Sequence, residues 1–248
     1  MPKLNRYIVG TIFAYIFERN LKIRLPITSE RRWKWNLLSE IRFWEKLIKQ
    51  TKFNQNNVIS SRLDPNLPLQ KKIINLLPFQ EEIRILDVGA GPLTYLGKCY
   101  NKSKLIIEAI DPLAEEYDYI LNKYQLIPPI RTTKLDAEKI GEKYTENSFD
   151  FVFASNSLDH CYSPEKAIIE MIKVVKKNHN ILLIHTPNEA TRQDWQGLHQ
   201  WNFSEENGDF TISSKYNKIN FSKKYESLCK TKCEYDNDSN LNTIIKKK

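Results

Sequence analysis

Between residues 83 and 185, short apolar runs alternate with stretches of helical period, and no other feature of the chain restricts its fold so strongly. The runs are IRILDVG (83–89), KLIIEAI (104–110), FDFVFAS (149–155) and NILLIH (180–185), with a weaker strand candidate around Arg131 to Leu135. Between them, Leu113, Tyr117, Ile120 and Tyr124 mark a helix over 112–124, and Ala167, Ile168, Met171, Ile172 and Val175 mark another over 163–177. Near-continuous apolar strands separated by helices require a parallel sheet covered on both faces. The expectation is a doubly wound α/β domain with its ligand at the carboxyl ends of the strands.

The 248 residues suffice for one large domain, or one domain with an appendage. With 41% hydrophobic residues, a disordered chain is excluded. Four cysteines without a CxxC pair exclude a disulfide scaffold and point to a reducing, cytoplasmic setting. The net charge of +8 is local, because residues 1–50 hold 11 Lys and Arg against 4 Asp and Glu, and the remainder holds 27 against 26.

The apolar run 7–17 (YIVGTIFAYIF) is shorter than the roughly 20 residues a membrane span needs, and the ERNLKIR after it offers no small-residue cleavage site. It reads as a retained N-terminal helix. A second amphipathic helix begins near Ser29, with Leu37, Ile41, Trp44 and Ile48 along one stripe. A polar connection over 54–68 and a short helix with Leu69, Ile73, Leu76 and Leu77, ended by Pro78, complete a helical extension of residues 1–80 before a domain of residues 81–248. The basic helices suit either peripheral contact with a membrane surface or packing over the protein's own core. The second is preferred, since amphipathic helices usually bury their stripe at home.

The first strand runs into Asp87-Val88-Gly89-Ala90-Gly91-Pro92, where two glycines permit a sharp turn and close approach and Pro92 suits the start of a helix. Asp111, kept extended by Pro112, ends the second strand, and such a carboxylate accepts from both hydroxyls of a ribose. Asp136-Ala137-Glu138 follows the third strand and suits an adenine amino group. Each acid alone is an ordinary loop residue or cap; three in order at successive strand ends are a pattern.

The series ILDVGAGP, AIDP, LDAEKI and FDFVFASNSLDH, over residues 80–186, resembles the class I S-adenosylmethionine-dependent methyltransferases. The resemblance implies a Rossmann-like sheet with S-adenosyl-L-methionine bound by Asp87, Gly89, Ala90, Gly91, Asp111, Pro112, Asp136, Ala137 and Ser155. Thr94 at the third-glycine place of a dinucleotide fingerprint counts against NAD. RLDPNLPLQ, GAGPLTYLGK and QGLHQWNF further resemble bacterial methyltransferases of surface-polysaccharide synthesis, which leans the acceptor toward a sugar or small hydroxylated molecule.

For a hydroxyl acceptor the enzyme must supply position, exclusion of water and a base. His160 is the candidate base, oriented by Asp159 or another carboxylate, with a structural loop histidine as the alternative. After the fifth strand, Asn188, His199 and Trp201 are the candidate acceptor contacts; equally, that loop buries its tryptophans against the N-terminal helices, and the sequence leaves both open. No Cys/His set has zinc spacing, so no metal is expected. Amino methylation of bases is marked down because Asn156-Ser157-Leu158-Asp159 replaces the Pro-Pro-aromatic turn. The expected activity is O-methylation of a small molecule or glycan. Its rivals are an RNA methyltransferase using the basic segment, with nucleic acid disfavoured by the aromatic stripe there, and a catalytically silent cofactor-binding or membrane-surface module.

Overall fold

The computed structural model describes residues 29–54 and 57–248. The expected helix over 7–17, and with it much of the basic segment, lies outside the described residues.

Ordered along the chain, the helices α1 (Ser29–Asn54), α2 (Asn57–Arg62) and α3 (Lys71–Ile74) precede β1 (Glu82–Val88) and β2 (Lys104–Asp111). Then come α4 (Ala114–Lys123), β3 (Thr132–Lys134), a 3-10 helix (Ala137–Glu142), β4 (Phe149–Ser155), a 3-10 turn (Leu158–His160), α5 (Pro164–Val174) and β5 (Val175–His185). The chain closes with α6 (Glu189–Arg192), β6 (Asn202–Glu206), β7 (Asp209–Ser213), β8 (Lys218–Asn220), α7 (Phe221–Lys224), β9 (Cys229–Tyr235) and β10 (Leu241–Lys247). The central sheet has seven strands in the order β3-β2-β1-β4-β5-β10-β9. β1 to β5 run parallel, and β10 is antiparallel to both β5 and β9.

Alternate residues of each strand face opposite sides, and both sides are apolar. Leu86, Val88, Val152, Ala154, Ile181 and Leu183 pack under α5 through Ala167, Ile168 and Met171. Ile83, Ile85, Phe151, Phe153, Leu182 and Ile184 pack under Leu69, Ile73 and Leu96. The expected doubly wound sheet is present. A third cluster joins α1 (Trp33, Leu37, Leu38, Ile41, Ile48) to Leu113, Tyr117, Ile120 and Leu121 of the α4 region and to Leu198. The amphipathic stripe of α1 is therefore covered by the protein itself, and no helix among the described residues is long and apolar enough to cross a membrane.

Two expectations at the ends of elements are corrected. Helical period had carried the helix after Ser163 to residue 177, but α5 stops at Val174 and β5 starts at Val175, the β-branched Val174-Val175 pair turning directly into extended chain. In the sequence, DFTIS (209–213) and the closing NTIIKKK read as strands completing the sheet as an antiparallel pair at its edge, where the lysines would discourage edge pairing. Instead β7 joins a separate antiparallel sheet, β6-β7-β8, whose Phe203, Phe210 and Ile212 extend the core on the α5 side. β10 is internal, pairing Leu241 with His185 through to Lys246 with Asn180, and the edge is β9. The lysines of the terminus do not guard that edge. Lys247 Nζ donates to the carbonyls of Lys173 (2.8 Å) and Val175 (2.9 Å), satisfying acceptors where α5 ends.

Candidate functional site

A cavity of about 480 Å³ opens at the carboxyl ends of β1, β2 and β4. Its floor is Asp87 to Gly91, its sides are Asp111 to Leu113, Ala137, Glu138 and Ser155 to Cys161, and α1 roofs it with Trp33, Leu37, Glu40 and Trp44.

The glycine loop turns with φ +69° at Gly89 and +64° at Gly91, left-handed values that favour glycine. A Cβ at Gly89 would stand 2.4 Å from the Ser157 Cβ, and one at Gly91 would stand 2.8 Å from the Trp44 ring. The close approach that these glycines allow is thus to Ser157 and Trp44 of the protein itself. Asp87 is buried and accepts from the Thr94 hydroxyl, and burial pushes its carboxyl up to about 6. The buried Thr94 accordingly has a role at its place: it supports Asp87 and accepts from the Leu96 amide (3.1 Å). Asp111 accepts from the Leu113 amide (2.9 Å) and the Gly91 amide (3.1 Å), yet burial still lifts it to about 7.

Glu138, buried and accepting from the Ser163 amide (2.8 Å), is lifted by burial to about 7 as well. Glu138, rather than Asp136, is the acid on the wall after β3. Asp136 precedes the 3-10 helix and pairs with Lys139 (2.9 Å), while Ala137 lines the cavity as expected. Away from the cavity, Asp150 is also buried, but Lys176 (2.7 Å) and the Arg84 amide (2.9 Å) overcome that burial and hold it low. The contrast separates a structural acid, satisfied within the protein, from three acids whose ionised forms want a partner.

Arg62 brings a cation to the same cavity, within electrostatic reach of Asp87. Arg62 Nη1 donates to the Leu93 carbonyl (3.2 Å), its guanidinium lies over the rings of Tyr95 (5.5 Å) and Trp44 (5.8 Å), and its buried Nε has no hydrogen-bond partner among the described residues. Burial lowers its basicity.

At the far end, Asp159 and His160 on the turn after β4 meet His199 from the loop before β6. Asp159 Oδ2 lies 2.9 Å from His199 Nδ1 and 3.5 Å from His160 Nε2, and the two nitrogens are 3.3 Å apart. Glu40 Oε2 approaches the other nitrogen of His160 (3.6 Å) and is itself fixed by the Trp44 indole, which donates to Glu40 Oε1 (2.8 Å). Burial would raise Asp159, but His160, His199 and His185 outweigh it and bring the carboxyl down to about 2. His185 is fully enclosed, and burial drops it to about 4.

Of the residues expected to touch an acceptor, His199 lines the cavity. Asn188 is exposed, with φ +56° at the start of α6, and its amide donates to the Phe203 carbonyl. The Trp201 indole donates to the Cys161 carbonyl (2.8 Å) and packs on the core, which fastens the loop. Leu198 buries against α1. One side chain of the loop, His199, therefore faces the cavity, while Trp201 anchors the loop on the α5-side core rather than against the N-terminal helices. Glu40, Trp44, Arg62 and Tyr95 belong to the cavity without having been read from sequence. Their traces were the helical stripe containing Trp44, the RLDPNLPLQ run that begins with Arg62 and the GAGPLTY run containing Tyr95.

A cavity of this size with clustered acids suits an adenosine ligand bearing positive charge. Asp111 has acceptor capacity for ribose hydroxyls, the acids Asp87 and Glu138 suit a cation, and the unpartnered Arg62 Nε suits a carboxylate. S-adenosylmethionine carries all three features: a ribose, positive charge on its sulfonium and ammonium, and a carboxylate.

No curated protein matches this sequence. Among solved structures, the chain is similar to an S-adenosylmethionine-dependent methyltransferase from Aquifex aeolicus, at 17% identity over 81% of this chain and 97% of that one, with TM-score 0.47. It is also similar to the YcgJ protein of Bacillus subtilis, at 15% identity over 71% and 97%, with TM-score 0.41. Residues 86–183, which run from the first strand through the Asp159-His160 turn into β5, match the methyltransferase domain family. The protein is a methyltransferase enzyme, and S-adenosyl-L-methionine is its cofactor.

Proposed function

We propose that the enzyme methylates a hydroxyl of a small molecule or glycan. The observation that carries this reading is the pairing, across one cavity, of a cofactor end made by Asp87, Asp111, Glu138 and Arg62 with a polar end made by Asp159, His160 and His199. Residues 81–248 form the catalytic unit in this reading, and residues 1–80 form the extension whose α1 covers it. The cytoplasm is the proposed location and surface-polysaccharide synthesis the proposed setting.

When bound, the cofactor supplies an electrophilic methyl: the O–C bond forms, the S–C bond breaks, and its electron pair stays on sulfur. Asp111 would hold the ribose, Ala137 and Pro112 would flank the base, and Ser155 and the Gly89 to Gly91 backbone would complete that end. Arg62 takes the amino acid carboxylate. His160 Nε2 receives the hydroxyl proton, with Glu40 facing its other nitrogen and Asp159 offsetting the charge that results. Trp33, Leu37 and Leu198 exclude water from the reacting atoms.

A transfer assay with methyl-tritiated S-adenosylmethionine against hydroxylated sugars, glycolipid and RNA tests the acceptor. Label is expected on a hydroxylated sugar or glycolipid, as a base-stable ether. Label on RNA alone would overturn the reading. The His160→Ala enzyme is expected to lose about 10²–10⁴-fold in kcat while binding the cofactor normally.

A further inference from the structure

We infer that Asp159, His160 and His199 form a binding site for one divalent transition-metal ion, facing the acceptor end of the cavity. Three donor atoms converge there, Asp159 Oδ2, His160 Nε2 and His199 Nδ1, with separations of 2.9, 3.3 and 3.5 Å. Ligands about 2.0–2.1 Å from a tetrahedral zinc ion stand roughly 3.3 Å apart, so this triangle is one face of such a site. All three residues line the cavity, so the remaining coordination faces the space an acceptor would use.

Hydrogen bonding accounts for the convergence only weakly, because a single N–H on His199 Nδ1 would have to serve both Asp159 Oδ2 (2.9 Å) and the His160 Nε2 lone pair (3.3 Å). His199 Nδ1 makes one good hydrogen bond when it donates to Asp159 at 2.9 Å. That nitrogen then has no lone pair for His160 Nε2, and the remaining distance from Nε2 to Asp159, 3.5 Å, is long for a hydrogen bond. A cation satisfies the three lone pairs together. The outer arrangement agrees, because a metal-bound imidazole commonly directs its other nitrogen at a carboxylate, and Glu40 Oε2 stands 3.6 Å from His160 Nδ1. The two loops that bring the donors together are tied on either side, by the Gln200 amide to the Asp159 carbonyl (3.4 Å) and by the Trp201 indole to the Cys161 carbonyl (2.8 Å). Two imidazoles and one carboxylate select zinc or iron over magnesium and calcium, which take oxygen ligands. The absence of zinc spacing in the sequence is no obstacle, since His199 comes from 39 residues beyond His160.

The catalytic consequence rests on the hydroxyl-acceptor reading above and changes one part of it. With a cation bound, His160 is a ligand. An acceptor hydroxyl on the same ion would lose its proton to solvent water, and the resulting alkoxide would attack the methyl carbon, the S–C electron pair remaining on sulfur.

The test is calorimetric titration of the chelator-treated full chain with Zn²⁺, with Mg²⁺ as control and Co²⁺ followed by its visible absorption. One Zn²⁺ per chain is expected, with little response to Mg²⁺. His199→Ala and Asp159→Asn should each weaken zinc by at least about tenfold, and Glu40→Gln by about 10–100-fold. Retained S-adenosylmethionine binding and unchanged circular dichroism would show these variants folded, and His179→Ala, at a half-buried site beside Asp150 and away from the cavity lining, should bind zinc as the parent does. No saturable zinc binding, or binding indifferent to His199→Ala and Asp159→Asn, would overturn the inference. In that event a slow His160→Ala enzyme would leave the proton-acceptor role standing. Zinc bound at these residues with no transfer to any hydroxyl would overturn the acceptor reading and leave the metal site.

Discussion

Asp87, Asp111 and Glu138 are held in the folded protein at a cost, since burial favours their neutral forms. For Asp87 the sign is explicit: its carboxyl rises from 3.8 unfolded to about 6 folded, so the native state keeps the proton longer. Stability from this group therefore declines as pH rises from about 4 to about 6 and stays reduced above. Asp87→Asn keeps an acceptor for Thr94 and removes the buried charge. The cofactor-free variant is expected to melt a few degrees above the parent at pH 8, at roughly 2–4 °C per kcal/mol, with the difference vanishing near pH 4. Its affinity for S-adenosylmethionine should fall. Asp111, lifted to about 7, gives a second prediction, because ribose hydroxyls favour its ionised form. Cofactor binding at pH 7 should release protons, seen as a binding heat that varies with the ionisation enthalpy of the buffer. Asp87 and Asp111 were legible in the sequence because each is placed by the end of its own strand. Choosing Glu138 over Asp136 was not legible, because the 3-10 turn that points Glu138 inward is set by the packing of Ala137 and Ile140.

Helix α1 shows the same division at the scale of an element. Its stripe could be read from a period of three and four, and Ile48, the last residue of that stripe, is fully buried. Ile48→Ala is expected to cost about 2–5 kcal/mol, measured by urea unfolding, while Phe43→Ala, at a side chain 55% exposed, should cost little. What the stripe packs against was invisible, because period states that a face is buried and not by what. The structure lays Trp44 on Gly91 and gives Glu40 to His160, which turns an extension into the roof of the site. Trp44→Ala should weaken cofactor binding by about tenfold, or 1.4 kcal/mol, through the lost support of the glycine loop and of Glu40. Proline at α1's interior position Leu38 would remove the roof altogether and is expected to be far more damaging to folding.

For the molecule as a whole, the late strands decide whether the sheet closes. β10 covers β5 along six residue pairs and carries β9 on its other side, so removing residues 241–248 would strip both at once. The truncated chain is expected to lose cooperative unfolding, whereas Lys247→Ala, which deprives α5 of its terminal donor, should cost about 1 kcal/mol. The alternation of strand and helix from residue 83 to 185, the glycine turn and the acids at successive strand ends were determined by the sequence alone. Each depends on short-range pattern: apolar runs, left-handed turns and the residue that ends a strand. The tertiary structure decided the position of β10, the roof over the cavity and the meeting of Asp159 and His160 with His199. Those depend on contacts between residues 39 to more than a hundred apart, and no local spacing encodes which distant segments will share a surface until the core brings them together.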